Sequence, residues 1–137
     1  MNSLDLSNWK ISNFIKNKNF NFTRQKILNV LPDKFIDDAY NTISSWPSYK
    51  STPLISLNKL SKNINVKNIF YKDESKRFGL KSFKALGGAY AVENITRGKK
   101  DIIISTATAG NHGRSVAWGS QRLSLKCKIF ISEYVSE

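Results

Sequence analysis

Two stretches of this sequence hold residues that can do covalent chemistry or bind a polar ligand. The first is Tyr71-Lys72-Asp73-Glu74-Ser75-Lys76-Arg77-Phe78-Gly79-Leu80-Lys81-Ser82-Phe83-Lys84-Ala85-Leu86-Gly87-Gly88. It begins extended and apolar, passes an acidic pair, turns at Gly79 and opens a helix around Ser82. Lys84 lies near that helix start, beside Phe83 and ahead of several small residues. A helix N-terminus carries partial positive charge and free N–H groups, which suits an anion and opposes a protonated amine. Apolar neighbours act in the same direction, toward the neutral amine that attacks a carbonyl. These are the conditions for a Schiff-base lysine; the plainer alternative is a solvated lysine on an amphipathic helix.

The second stretch is Ser105-Thr106-Ala107-Thr108-Ala109-Gly110-Asn111-His112-Gly113. It follows an apolar strand and leads into a helix, the place where open α/β sheets bind ligands. Gly110 and Gly113 admit close approaches that side chains would block. The hydroxyls and Asn111 offer hydrogen bonds to a ring substituent or a carboxylate, although Gly-Asn-His reads equally well as a capping turn. His112 is the only histidine. No carboxylate is placed beside it, so an orienting or packing role is preferred to acid–base catalysis. Trp118 and Tyr90 read as core residues and not as cofactor-stacking ones.

The elements that must position these residues follow from hydrophobic periodicity. Residues 1–30 are rich in Asn and Lys, with Phe20 and Phe22 placed to share one side of a short strand. From Pro32, apolar residues Phe35, Ile36, Ala39, Ile43 and Trp46 recur at helical spacing until Pro47 ends the run. Thr52-Pro53-Leu54 is a turn into a short helix over Leu57 to Ile64, and Ile69-Phe70-Tyr71 is the first strand. The helix after Ser82 sets Phe83, Leu86, Gly87, Tyr90 and Ala91 on one face and closes at Gly98. Its small residues leave room for another backbone or a ligand. Asp101 to Ser105 is a continuous apolar strand of the kind buried on both faces of a parallel sheet. A turn from Thr106 to Gly110 precedes a helix over Asn111 to about Leu123, with Val116, Ser120 and Leu123 inward. Cys127 to Ser132 is a further strand. Strand and helix alternating at this spacing predict an α/β fold with right-handed crossovers.

Composition bounds the partners. The chain has 137 residues, 40% of them hydrophobic, a globular balance for one modest core. Its 22 Lys and Arg against 10 Asp and Glu give a net charge of +12. The basic residues are scattered, with no binding stripe, so a solvated surface is preferred to nucleic-acid binding. One cysteine, Cys127, excludes an intrachain disulfide and fits a reducing compartment, with the thiol packed in an apolar strand. A single His and dispersed carboxylates leave no zinc-type ligand cluster. No segment approaches a membrane span or a secretory h-region, and the expected location is cytoplasmic.

Taken together, the motifs carry a resemblance. Thr52-Pro53-Leu54, Lys72-Asp73-Glu74-Ser75, Arg77-Phe78-Gly79-Leu80 with Ser82-Phe83-Lys84, Leu86-Gly87-Gly88, and Ala107-Thr108 with Gly110-Asn111-His112-Gly113-Arg114 stand in order. They resemble the pyridoxal-phosphate enzymes of the tryptophan-synthase-β fold. Within that group the run before Lys84 and the Gly-Arg and Ala-Trp pairs between Gly113 and Trp118 are most similar to the diaminopropionate ammonia-lyases. The likeness covers roughly residues 32 to 132. It implies pyridoxal 5'-phosphate as cofactor, Lys84 as its Schiff-base lysine and proton shuttle, and Asn111 on the phenolic oxygen of the pyridine ring. It places the substrate carboxylate at Thr106, Thr108 and Gly110, and makes the reaction an α,β-elimination of a small amino acid. It assigns residues 1–85 to the first part of a large domain and residues 86–137 to part of a small α/β domain.

Three departures qualify the likeness. Ala109 stands where the ammonia-lyases carry an Asp expected to help remove the α proton of one enantiomer. Lys81 replaces a usual Asn, adding a positive charge near Lys84. The family's chains are also much longer, and no stretch before Glu137 matches their glycine-rich phosphate loop or the group that meets the pyridine nitrogen. Residues 132–137 come where a strand should lead into the next helix, so the sequence reads as cut, with little cofactor binding and no turnover expected of it alone. The rival readings are a non-catalytic truncated product, associating with another copy or a longer chain, and a small basic nucleic-acid-binding protein.

Overall fold

The computed structural model describes residues 15, 17–19, 21 and 23–135. The strand expected around Phe20 and Phe22 lies outside them. The described chain forms two compact units. One comprises the described residues of Met1–Pro32 together with Pro53–Asp73, and the other Asp33–Thr52 together with the residues from Glu74 onward.

In the first unit, Thr23 starts α1 (Arg24–Val30), its hydroxyl accepting from the Lys26 N–H. A side-chain oxygen at this position satisfies one of the donors that a helix start leaves open. Strands β1 (Leu54–Ser56) and β2 (Phe70–Lys72) flank α3 (Asn58–Asn63). They pair antiparallel, Leu54 opposite Lys72 and Ser56 opposite Phe70. The ladder continues through Asp73 N–H to Pro53 O at 3.0 Å and Leu57 N–H to Ile69 O at 2.9 Å. The segment Ile69-Phe70-Tyr71 is thus a strand, as expected, but its partner is the segment read as the end of a turn. Pro53 explains the difference: it precedes the strand, where its missing N–H costs nothing and its carbonyl still accepts.

The second unit holds α2 (Asp33–Ser44), a 3₁₀ turn (Arg77–Gly79), α4 (Lys84–Thr96), β3 (Ile103–Ala107), α5 (Asn111–Arg122) and β4 (Lys126–Phe130). Strands β3 and β4 are parallel, from Ile103 opposite Lys126 to Ala107 opposite Phe130, as α/β alternation predicts. Val92 of α4, Val116 of α5 and Leu125 form a buried cluster, against which Ile102, Ile104, Leu123, Cys127 and Ile129 pack. Val116, Ser120 and Leu123 therefore face inward as expected, and Cys127 packs at the core. Alternate residues of β3 point away from the helices, and Ile103 is 53% exposed. A strand covered on both faces was expected; among the described residues only one face of β3 is covered, by α4 and α5.

The two helices meet through small residues. The buried positions of α4 are Ala85, Gly88, Ala89, Val92 and Thr96, and those of α5 include Ser115, Val116, Gly119 and Ser120. A Cβ on Gly88 would lie 2.8 Å from Ser115 Cβ, and one on Gly119 would lie 2.7 Å from Ala89 Cα. The helical period of α4 was read correctly, but the buried face is the small one. Phe83, on the face marked by larger residues, is 64% exposed. Backbone approach this close leaves no room for large side chains, and it maximises dispersion contact. The buried hydroxyls bond back to their own helices: Ser115 Oγ donates to His112 O at 2.7 Å and Ser120 Oγ to Val116 O at 2.9 Å. Each is thereby satisfied without a partner from across the contact.

Two glycine substitutions separate packing from helix propensity. Gly119→Ala should destabilise by about 1–3 kcal/mol, because the new methyl meets backbone that cannot swing aside. Gly87→Ala, with open space around it, should stabilise by about 0.5–1 kcal/mol through helix propensity alone. Chemical denaturation of both variants beside the parent chain measures the difference.

Candidate active site

The segment leading to Lys84 is held at one end by Arg77, which is 5% exposed. Its Nε donates to Glu74 Oε2 at 2.6 Å and its terminal nitrogen to Glu74 Oε1 at 3.0 Å, a forked pair. Further bonds run to Lys50 O at 2.8 Å and Thr52 Oγ1 at 3.0 Å, and Thr52 in turn donates to Glu74 at 2.5 Å. The hydrogen bond to Glu74 is the main cause that raises the Arg77 guanidinium above its ordinary pKa, against the opposing effect of burial. A forked arginine–carboxylate pair combines charge with fixed geometry. Here it ties the start of the loop to the residues just after α2.

Beyond Arg77 the backbone turns sharply. Phe78, Gly79 and Lys81 all have positive φ, at 46°, 72° and 56°. Glycine takes this conformation freely, whereas each of the other two costs about 1–2 kcal/mol. Ser82 is buried, and its Oγ accepts from the Lys84 N–H at 3.2 Å. Lys84 is the first residue of α4, and its side chain is exposed. Phe83 points to the surface as well, so it supplies none of the apolar cover that the sequence suggested.

The second stretch divides at the strand end. Thr106 lies within β3, opposite Ile129, and the Thr108 N–H donates to Phe130 O at 2.9 Å. The turn is accordingly shorter than expected, running from Thr108 to Gly110. Gly110 precedes α5 in an extended conformation and makes no side-chain cap, and its carbonyl accepts from Arg114 N–H at 3.2 Å. Asn111 opens α5 with its side chain exposed, so the capping-turn alternative is not the one adopted. A Cβ on Gly113 would lie 2.9 Å from Thr108 Cγ2 and 3.2 Å from Ile129 Cγ2. The missing side chain is what lets the first turn of α5 settle on the strand end. His112 is exposed, so its side chain is not packed, and its backbone carbonyl accepts from Ser115 Oγ.

The helix contact brings the two stretches to one end of the unit. Gly88 is one turn into α4 and Ser115 one turn into α5, and these two residues touch. Lys84 and Asn111, each one turn earlier, therefore open their helices at the same end, beside the carboxyl end of β3. The first-turn N–H groups of an α-helix have no acceptor within the helix and point outward at this end. The arrangement offers the Lys84 amine, the Asn111 amide and the first-turn N–H groups of α5, whereas in α4 the N–H of Lys84 is taken by Ser82 Oγ, that of Ala85 by Ser82 O and that of Leu86 by Phe83 O. Among the described residues no group of three His, Cys, Asp or Glu side chains can hold a metal.

Sequence reasoning missed an aromatic cluster behind the loop. Phe78 stacks on Trp118 with ring centroids 4.6 Å apart and an interplanar angle of 27°. Trp46 meets Trp118 edge-on at 5.7 Å and Phe78 at 5.9 Å. Trp46 Nε1 donates to Glu93 Oε2 at 2.8 Å, and the Arg122 guanidinium lies 4.1 Å from the Trp46 ring centroid. Trp118 is half-buried within this cluster. Its partners come from separate segments with no common period, so no pattern along the chain announced them.

Lys81 stands three residues before Lys84, and its backbone strain is separable from that residue. Lys81→Gly should raise stability by about 0.5–1 kcal/mol, since relief of the left-handed conformation outweighs the added freedom of the unfolded chain. Glu74→Gln should lower it by about 2–3 kcal/mol by leaving Arg77 buried without a charge partner. Denaturant midpoints for the two variants provide the check.

Residues 46–137 match the family of pyridoxal-phosphate dependent enzymes. Among curated proteins, diaminopropionate ammonia-lyase of Salmonella typhimurium is 39% identical over 107 residues, covering 62% of this chain and 26% of the relative. The Escherichia coli K12 enzyme of the same name is 41% identical over 101 residues, covering 61% and 25%. The chain thus spans about a quarter of the length of these relatives. The crystal structure of apo Escherichia coli diaminopropionate ammonia lyase superposes with a TM-score of 0.67 at 35% identity, covering 72% of this chain and 32% of that one. A pyridoxal 5'-phosphate-dependent aspartate racemase superposes with a TM-score of 0.64 at 25% identity. On this combined likeness of sequence and fold, the chain belongs to the pyridoxal-phosphate dependent enzymes, with the fold of the tryptophan-synthase-β group.

Proposed function

We propose that this chain carries the lysine-bearing part of a lyase that eliminates ammonia from 2,3-diaminopropionate, with pyridoxal 5'-phosphate as cofactor. The observation that carries this reading is the opening of two helices, at Lys84 and Asn111, at one end of the unit beside the carboxyl end of β3. The residues present fit the ring portion of such a cofactor. Lys84 offers an exposed primary amine to its aldehyde, and Asn111 an exposed amide to its phenolic oxygen. When bound, the cofactor supplies an electron sink for the carbanion formed at the substrate α carbon.

The chain's own residues do the rest. The Thr108 hydroxyl, with that of Thr106 and the N–H groups that follow Gly110, holds the substrate carboxylate and fixes which bond at the α carbon is aligned for cleavage. The Lys84 amine would take the α proton and later return a proton. Ala109 has no acidic group to take the α proton of one enantiomer, so the transfer by Lys84 serves the other. Overall, 2,3-diaminopropionate and water yield pyruvate and two molecules of ammonia. The small substrate and the division into residues 1–85 of a large domain and 86–137 of a small one are parts of the same reading. No helix among the described residues is long and apolar enough to cross a membrane.

Borohydride reduction of the purified chain with a small excess of pyridoxal phosphate, followed by peptide mass mapping, tests the assignment. Label should concentrate on Lys84, vanish in Lys84→Ala and persist in Lys81→Ala. Even labelling across many lysines would overturn it in favour of a non-catalytic chain. Residues 1–137 contain no match to the family's phosphate loop, so a coupled pyruvate assay with diaminopropionate should show no turnover by this chain alone.

A further inference from the structure

We propose that the stack of Phe78 on Trp118 is a positioning device that sets the Lys84 loop against the helix opened by Asn111. The inference rests on the reading of Lys84 as the cofactor lysine. Phe78 has φ 46° and ψ 25°, a conformation that a bulky residue keeps only when its surroundings over-determine it. Its ring stacks on Trp118 at 4.6 Å, tilts against Trp46 at 5.9 Å and meets Tyr49 at 6.4 Å. On its other side in sequence, Arg77 is fixed by Glu74, Thr52 and Lys50. Trp118 lies on α5 two turns beyond Asn111, and Phe78 lies in the loop that ends at Lys84. One ring contact therefore joins the two segments whose first helical residues must address the same cofactor. The helix contact at Gly88 and Ser115 sets how far apart α4 and α5 lie. It leaves the path of the loop before α4 open, and the stack closes that choice. Trp46 buttresses Trp118 from the side and is itself held by Glu93 and Arg122.

Trp118→Leu removes the ring stack while keeping an apolar side chain, and Trp118→Phe keeps a ring. Phe78→Gly removes the ring but accepts the positive φ without strain. Each variant is first tested for folding by circular dichroism and thermal unfolding, and then studied well below its midpoint. One readout is the share of borohydride label on Lys84 relative to the other lysines. The other needs no cofactor: hydrogen exchange of residues 77–84, compared with residues 88–96 of α4. Trp118→Leu and Phe78→Gly should each lower the Lys84 share by about threefold to tenfold. They should speed exchange in the loop while α4 stays protected, and Trp118→Phe should restore most of both. A lower midpoint with unchanged loop exchange and unchanged Lys84 share would overturn the proposal, since that is what a purely structural stack predicts. Failure of the parent chain to label selectively at Lys84 would instead overturn the assignment of the lysine. Loop exchange would then decide alone whether the stack orders the segment.

Discussion

Everything at the candidate site depends on how closely α4 and α5 approach. Gly88 faces Ser115 and Gly119 faces Ala89 at distances that leave no room for one more carbon. Each contact is small, but together they fix the spacing of the helices and the relative height of their first turns. The physical reason is that close-packed backbone transmits position more rigidly than flexible side chains do. With Gly88 on Ser115 one turn into each helix, and Ala89 on Gly119 further along both, Lys84 and Asn111 open their helices on the same side of that contact. The same requirement explains why the buried hydroxyls bond back to their own helices, since the contact has no space for a partner from across it.

The loop before Lys84 shows the opposite economy. It contains two non-glycine residues, Phe78 and Lys81, in a conformation that favours glycine. The free energy stored there is tolerated because neighbouring interactions hold each end of the loop. Arg77 anchors the entrance with a forked ion pair, and the buried Ser82 steadies the exit by accepting from the Lys84 N–H. Strain of this kind gathers where a backbone must present one group in one direction. The net charge of +12 plays no visible part, since the ion pairs that matter, Arg77 with Glu74 and Arg122 with Glu93, are local.

Much of the fold was legible along the chain. The apolar runs at Asp101–Ser105 and Cys127–Ser132, with helical spacing between them, announced a parallel strand pair and its crossover, which the structure sets at Ile103–Ala107 and Lys126–Phe130. The motifs around Lys84 and Asn111 announced the family that the comparisons show. Where the reading slipped, the cause was contact between distant segments. Pro53 looked like part of a turn because the β2 partner of Leu54 lies far along the chain. The small residues of α4 were read as room for another backbone, and α5 takes that room; what the period alone did not give is that Phe83, grouped with the larger residues, stays exposed.

The sequence by itself determined the residue chemistry: an amine after a tight glycine turn, an amide after a threonine-rich strand end, and the alternation that makes α/β structure. These are local properties, set by side-chain type and by the periods of helix and strand. Only the tertiary structure decided which helix faces meet, that Lys84 and Asn111 open at one end, and that Phe78 reaches Trp118. Those outcomes depend on residues far apart in sequence coming within van der Waals distance, and no local period records that.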